Sequence, residues 1–209
     1  MKWRLAERIP AGLAGLALAG TLVIVPAHAA SERALFISLG AAARAPLGWK
    51  EFCVEYTPEC GTTPLPPAHL VLTNEAWDEL VRINQRVNKA IKPLTDPEHW
   101  GVAERWNYPD DGFGDCEDYV LLKRKLLMQA GWPRQALLIT VVRDKQGDGH
   151  AVLTVKTDQG EFILDNQTAE VLLWSHTEYR FVKRQSETDP NVWIALGDSR
   201  PAPATASSR

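Results

Sequence analysis

His150-Ala151-Val152-Leu153-Thr154-Val155-Lys156-Thr157, followed beyond Asp158-Gln159-Gly160 by Glu161-Phe162-Ile163-Leu164-Asp165, reads as a β-hairpin. Ala151, Leu153 and Val155 fall on one face of the first strand, and His150, Val152, Thr154 and Lys156 on the other. In the second strand Phe162 and Leu164 share a face, opposite Glu161, Ile163 and Asp165. A hairpin brings its apolar faces together. That sets Leu153 against Leu164 and Val155 against Phe162, with Lys156 opposite Glu161 as a cross-strand charge pair. The turn is then Thr157-Asp158-Gln159-Gly160, a usual hairpin composition. In this register Asp165 lies opposite Val152, one diagonal step from His150 and on the same face. A slip of one residue would put them on opposite faces.

Outward from the hairpin, Ala136–Arg143 and Tyr179–Lys183 carry the β-branched alternation of further strands. Upstream, Tyr119, Leu122, Leu126 and Ala130 form a helical stripe that leaves Lys123, Arg124 and Lys125 off it. Gly131 and Pro133 stop this helix. Another helix runs from the cap Thr73 to Lys92, with Trp77, Leu80, Val81, Asn84, Val87 and Ile91 at helical spacing and Pro93 as terminator. The connection over 93–114 is long for a compact domain, as functional segments often are. Residues 30–72, rich in Ala, Gly and Pro, read as loops and short strands. Helices followed by an antiparallel meander give an α+β fold, one long helix on a sheet.

The length of 209 residues suits one domain. A net charge of −3 gives no basic face for nucleic acid. Lys2, Arg4 and Arg8 precede an uncharged run to Val25, and Ala27-His28-Ala29 offers small residues at a cleavage site. This predicts a signal peptide over 1–29, the alternative being an uncleaved anchor. The domain is expected over 30–196, with a polar disordered tail over 197–209.

Export changes the reading of the three cysteines. Cys53 and Cys60 are close enough to pair, closing a loop worth about 2–3 kcal/mol. Cys116 is left over, either a buried inert thiol or a reactive one. Gly114 permits a turn into the helix, Asp115 is a good N-cap, and Cys116 falls in the first turn. There the amide N–H groups and the helix dipole favour thiolate, the nucleophilic form. Cys116, His150 and Asp165 then have the logic of nucleophile, base and orienting carboxylate. Asp115, Glu117 and Asp118 oppose ionisation of that thiol, so a counter-charge is required. They read equally as helix-start acids or as a hard-cation site. His69, His99 and His176 lack zinc spacing.

Gly114-Asp115-Cys116-Glu117-Asp118-Tyr119, with Trp106-Asn107-Tyr108-Pro109, Gly149-His150-Ala151-Val152 and Leu164-Asp165-Asn166, resembles the bacterial transglutaminase-like cysteine peptidases, whose best-known branch is the periplasmic LapG type. The likeness runs from Leu70 to about Trp193. It implies a papain-like core, the triad Cys116, His150 and Asp165, and Ca²⁺ on Asp115, Glu117 and Asp118. In that branch the substrate is a cell-surface adhesin cut beside paired alanines, and a membrane c-di-GMP receptor is the regulator. The expected function is therefore a periplasmic or secreted cysteine endopeptidase. The rival readings are a transglutaminase or amidase using the same acyl-enzyme, and a calcium-stabilised binding module with a vestigial triad.

Overall fold

The computed structural model of the protein describes residues 35–198, residues 62 and 69 excepted. The expected signal peptide, all of the tail beyond Asp198, and His69 lie outside the described residues. The chain forms β1 (Ser38–Ala43), α1 (Leu47–Glu55), a 3₁₀ turn Thr57–Cys60, α2 (Asn74–Ala90), β2 (Lys92–Pro93) and α3 (Asp96–His99). There follow β3 (Phe113–Gly114), α4 (Cys116–Gln129), β4 (Leu137–Arg143), β5 (Gly149–Thr157), β6 (Gly160–Leu164), β7 (Leu172–Leu173), β8 (Arg180–Gln185) and β9 (Trp193–Gly197). The order in the main sheet is β1-β9-β8-β4-β5-β6-β7, antiparallel throughout. The Cys116-bearing α4 packs on β5 and against α2. The fold is α+β, a helix on an antiparallel sheet. No helix among the described residues is long and apolar enough to cross a membrane.

The β5–β6 register has Leu153 opposite Leu164, Val155 opposite Phe162 and Thr157 opposite Gly160, as the apolar faces require. Leu153, Val155, Leu164, Leu137 and Ile139 then share one core with Leu80 and Val87 of α2 and Tyr119 and Leu127 of α4. The other face is buried as well. Val152, Ile163 and Val142 pack there with Ile37, Trp174 and Phe181. Polar side chains enter that interior in pairs. Thr140 and Thr154 share a hydroxyl bond of 2.7 Å, and Arg184 donates to Glu161 across 2.7 Å. Lys156 does lie opposite Glu161 but donates to Glu187 at 2.6 Å. Thus the expected Lys156–Glu161 pair gives way to a better buried guanidinium–carboxylate contact.

The structure departs from the sequence reading in three further places. Residues 47–55 form a helix, burying Gly48, Trp49 and Phe52. Trp193–Gly197 is a strand, so Gly197 belongs to the sheet, opposite Ser38. Lys123 and Arg124 are buried, at 0% and 1% exposure, because α4 is covered beyond its apolar stripe. Arg124 reaches Glu59 at 3.7 Å and the Leu137 carbonyl at 3.4 Å. Cys53 and Cys60 form a disulfide between α1 and the 3₁₀ turn.

Candidate active site

Cys116 is the first residue of α4, with Asp115 as N-cap. Asp118 returns its carboxylate to the Asp115 amide at 3.4 Å and accepts from the Asn107 amide at 2.9 Å. This capping box fixes the helix start and ties the 93–114 connection to it. Gly114 is needed for closeness rather than for a left-handed turn. A Cβ there would lie 2.6 Å from Asp118 Oδ2.

His150 enters from the start of β5, and Asp165 follows the last residue of β6. His150 Nε2 and Asp165 Oδ1 are 2.9 Å apart, and both residues are buried. Burial pushes the Asp165 carboxyl up. The hydrogen bond and charge of His150, with the Tyr179 hydroxyl, more than offset this and hold it below the ordinary carboxylate range. The carboxylate has two further donors: the Tyr179 hydroxyl on Oδ2, and the Gln167 amide on Oδ1 at 3.2 Å. Asn88 of α2 donates to the Asp165 carbonyl at 2.8 Å.

Cys116 and His150 line one cleft of about 210 Å³ with Pro46, Trp106, Glu117 and Lys183. Pro46 is the N-cap of α1 and Trp106 presses on Gly48, where a Cβ would come within 2.3 Å of the indole. Lys183 donates to the Arg44 carbonyl at 2.8 Å, which holds the segment leading to Pro46. A larger groove of about 620 Å³ lies around Glu75, Glu79 and Trp132 and contains no thiol.

The Cys116 thiol donates to Glu117 Oε2 at 3.0 Å. Its ionisation is pushed well up, first by burial and then by Glu117, with the Ala151 amide acting in the opposite sense. The acids beside it are in the same difficulty. Burial, then Asp115, raises Glu117 to about 10, and burial raises Asp118 to about 8. Asp96 is raised too, chiefly by burial. Carboxylate oxygens of Asp96, Glu104 and Glu117 lie within 4.8 Å of one another, as do those of Asp96, Asp115 and Asp118. Asp115 Oδ1 and Glu117 Oε1 are buried without a partner among the described residues. An all-oxygen donor set with orphaned carboxylate atoms fits a hard divalent cation. Asp115 thus groups with Glu117 in one set and with Asp118 in another, and Asp96 and Glu104, from the long connection, share oxygen clusters with them.

The profile of the bacterial transglutaminase-like cysteine proteinases, BTLCP, matches residues 39–201. The chain belongs to this family. It is a cysteine peptidase. Legionella pneumophila LapG is similar in three solved structures. The EGTA-treated one is 27% identical over 59% of this chain and 72% of that one, with a TM-score of 0.48. The calcium-bound one is 24% identical over 62% and 75%, at 0.49. A third is 28% identical over 59% and 71%, at 0.48. No curated protein matches the sequence.

Tyr179, Asp96 and Glu104 escaped the sequence reading of this BTLCP chain. Tyr179 looked like the first residue of a strand, and it lies one residue before β8. Thr95-Asp96-Pro97-Glu98 carries the signal of a helix start, and the Thr95–Glu98 capping box is present. Nothing local to that motif says that Asp96 turns toward Asp115. His99 pairs with Asp111 at 2.8 Å and stacks on Trp100.

Proposed function

We propose that the chain is an exported, calcium-dependent endopeptidase using Cys116 as nucleophile, His150 as general base and acid, and Asp165 as its orienting carboxylate. The supporting observation is the buried 2.9 Å contact of His150 with Asp165, with the imidazole sharing the cleft of the family's single free thiol in this chain. In this reading the Cys116 proton passes to His150 and the sulfur attacks the scissile carbonyl. The tetrahedral adduct collapses as the imidazolium protonates the leaving amine. Water, deprotonated by His150, then hydrolyses the thioester. The amide of Cys116, at a helix N-terminus, is a donor suited to the carbonyl oxygen as it gains charge.

Asp115, Glu117 and Asp118 would hold the Ca²⁺, with Asp96 and Glu104 alongside. When bound, the ion supplies positive charge against the carboxylates that oppose thiolate formation. In this reading the substrate is a surface adhesin cut beside paired alanines, and the regulator is a membrane c-di-GMP receptor. The Cys53–Cys60 disulfide supports a periplasmic or secreted location.

The test is to compare surface proteins released by cells expressing the enzyme with those released by cells expressing Cys116→Ala. Release should depend on the thiol, and the variant should remain folded. Equal release by both would sink the assignment. Incorporation of a labelled amine in place of hydrolysis would favour the transglutaminase reading.

A further inference from the structure

We propose that Asn88 is a positioning residue for the triad, fixing Asp165 against His150 through the backbone of the segment that follows β6. The inference rests on the catalytic reading above. The β5–β6 pairing ends at Leu153 and Leu164, so Asp165 lies one residue beyond the last strand pair. Sheet hydrogen bonding therefore does not by itself set where its carboxylate points. Two asparagines one turn apart on α2 do so, since residues four apart share a helix face. The Asn88 amide donates to the Asp165 carbonyl at 2.8 Å and to the Thr168 carbonyl at 2.9 Å. The Asn84 amide donates to the Thr168 and Ala169 carbonyls, each at 3.3 Å. The Gln167 amide then closes on Asp165 Oδ1 at 3.2 Å, the same oxygen that meets His150 at 2.9 Å.

The same end of α2 holds the other half of the site. The Tyr119 hydroxyl of α4 donates to the Ile91 carbonyl at 2.7 Å, three residues past Asn88 and from three past Cys116. The amides of Lys92 and Leu94 donate to the Gly112 and Gly114 carbonyls at 2.9 and 3.0 Å, so β2 ties the end of α2 to β3 and the start of α4. Residues 88–94 are thus a common frame for the nucleophile and the carboxylate. The choice of asparagine has a cost. It is a poor helix former, and Asn84 is 0% exposed. Asn84 Oδ1 and Asn88 Oδ1 are buried without a partner among the described residues, which opposes folding. A leucine at either place would suit the helix and its apolar stripe better. What leucine lacks is a donor for the carbonyls of 165–169.

The experiment compares the full chain with Asn88→Ala and with Thr73→Ala, all saturated with calcium. Thr73→Ala removes the cap at the other end of the same helix, where the hydroxyl accepts from the Ala76 amide at 3.2 Å. The His150 ring resonances are titrated by NMR in a Cys116→Ala background, and kcat and KM are measured with the thiol present. A carboxylate no longer held against the imidazole favours its charged form less. Expected in Asn88→Ala are a kcat lower by roughly ten- to a hundredfold with KM unchanged, and a His150 titration moved down by about half a pH unit or more. Thr73→Ala should melt at a lower temperature with neither quantity moved. An unchanged kcat or an unmoved titration in folded Asn88→Ala overturns the proposal and leaves Asn88 a structural residue. An equal effect from Thr73→Ala overturns it too. If Asn88→Ala fails to fold, Asn88→Ser, which keeps one short donor, supplies the same comparison. Cys116→Ala separates this idea from the catalytic reading. An inactive Cys116→Ala beside an unmoved titration sinks the role of Asn88 alone, and an active Cys116→Ala sinks both.

Discussion

Asp165 shows how a single carboxylate is held in one ionisation state by its neighbours. Its buried oxygens receive His150, the Tyr179 hydroxyl and the Gln167 amide, so both sides of the group are engaged. Tyr179 also approaches the imidazole face, with ring centroids 5.3 Å apart. Its own ionisation is pushed up, by burial and then by its bond to Asp165, which keeps it a donor. Tyr179→Phe removes that donor and leaves the ring. A hydrogen bond to a charged group is worth about 1.5–3 kcal/mol, so kcat should fall roughly tenfold or more with the fold intact. Steady-state kinetics with a calorimetric melt checks this, and an unchanged kcat would show that the other two donors suffice. His150 and Asp165 were legible in the sequence because strand alternation and one apolar register place them on the same face. Tyr179 was not, since its contact depends on the path the chain takes between β7 and β8. That path leaves no periodic trace.

At the level of elements, the readable parts were those with a period. α2 has an apolar stripe and a Thr73 cap whose hydroxyl accepts from Ala76 at 3.2 Å. The hairpin has its alternation. α1 has neither, since Gly48, Trp49 and Phe52 are buried along a short helix that contains no first-turn acid or last-turn base. Its place is set by tertiary contacts. The Trp49 indole donates to Asn191 at 3.3 Å, the Asn191 amide donates to the Cys60 carbonyl at 3.1 Å, and Trp106 fills the space beside Gly48. The pairing of Cys53 with Cys60 was readable from spacing and from the expectation of export, whereas the helix bearing Cys53 was not. The disulfide therefore braces an element that also walls the cleft. Replacing both cysteines by serine should lower stability by about 2–3 kcal/mol on loop-closure grounds. It should also raise KM more than it lowers kcat, because the cleft wall loosens while His150 on β5 and Asp165, just after β6, stay in place. Denaturant melts and kinetics on the double variant decide this. Equal stability of the two proteins would show that packing alone holds α1.

Across the whole molecule, the acidic cluster links fold, pH and cation. Asp96 comes from α3, Glu104 and Asn107 from the long connection, and Asp115, Glu117 and Asp118 from the start of α4. Three separate stretches are thus folded onto mutually repelling carboxylates. Asp118 is raised to about 8 and Glu117 to about 10, so without a cation the folded chain holds protons that the unfolded chain releases. A carboxyl raised in the folded state favours folding at low pH. It loses that advantage as pH climbs from the unfolded value, near 4, through the folded one. A chelated sample should therefore melt at progressively lower temperature from about pH 5 to about pH 10. Calcium binds the deprotonated carboxylates, so its stabilising effect should grow over the same window, and activity should return with it. Glu117→Gln keeps the size and removes one charge. It should flatten the pH slope of the chelated protein and weaken the rise on adding calcium. Melting temperatures at several pH values, with chelator and with calcium, make the comparison. Coincident curves, with equal rates, would reduce these acids to helix-start residues and remove the cation from the account of Cys116.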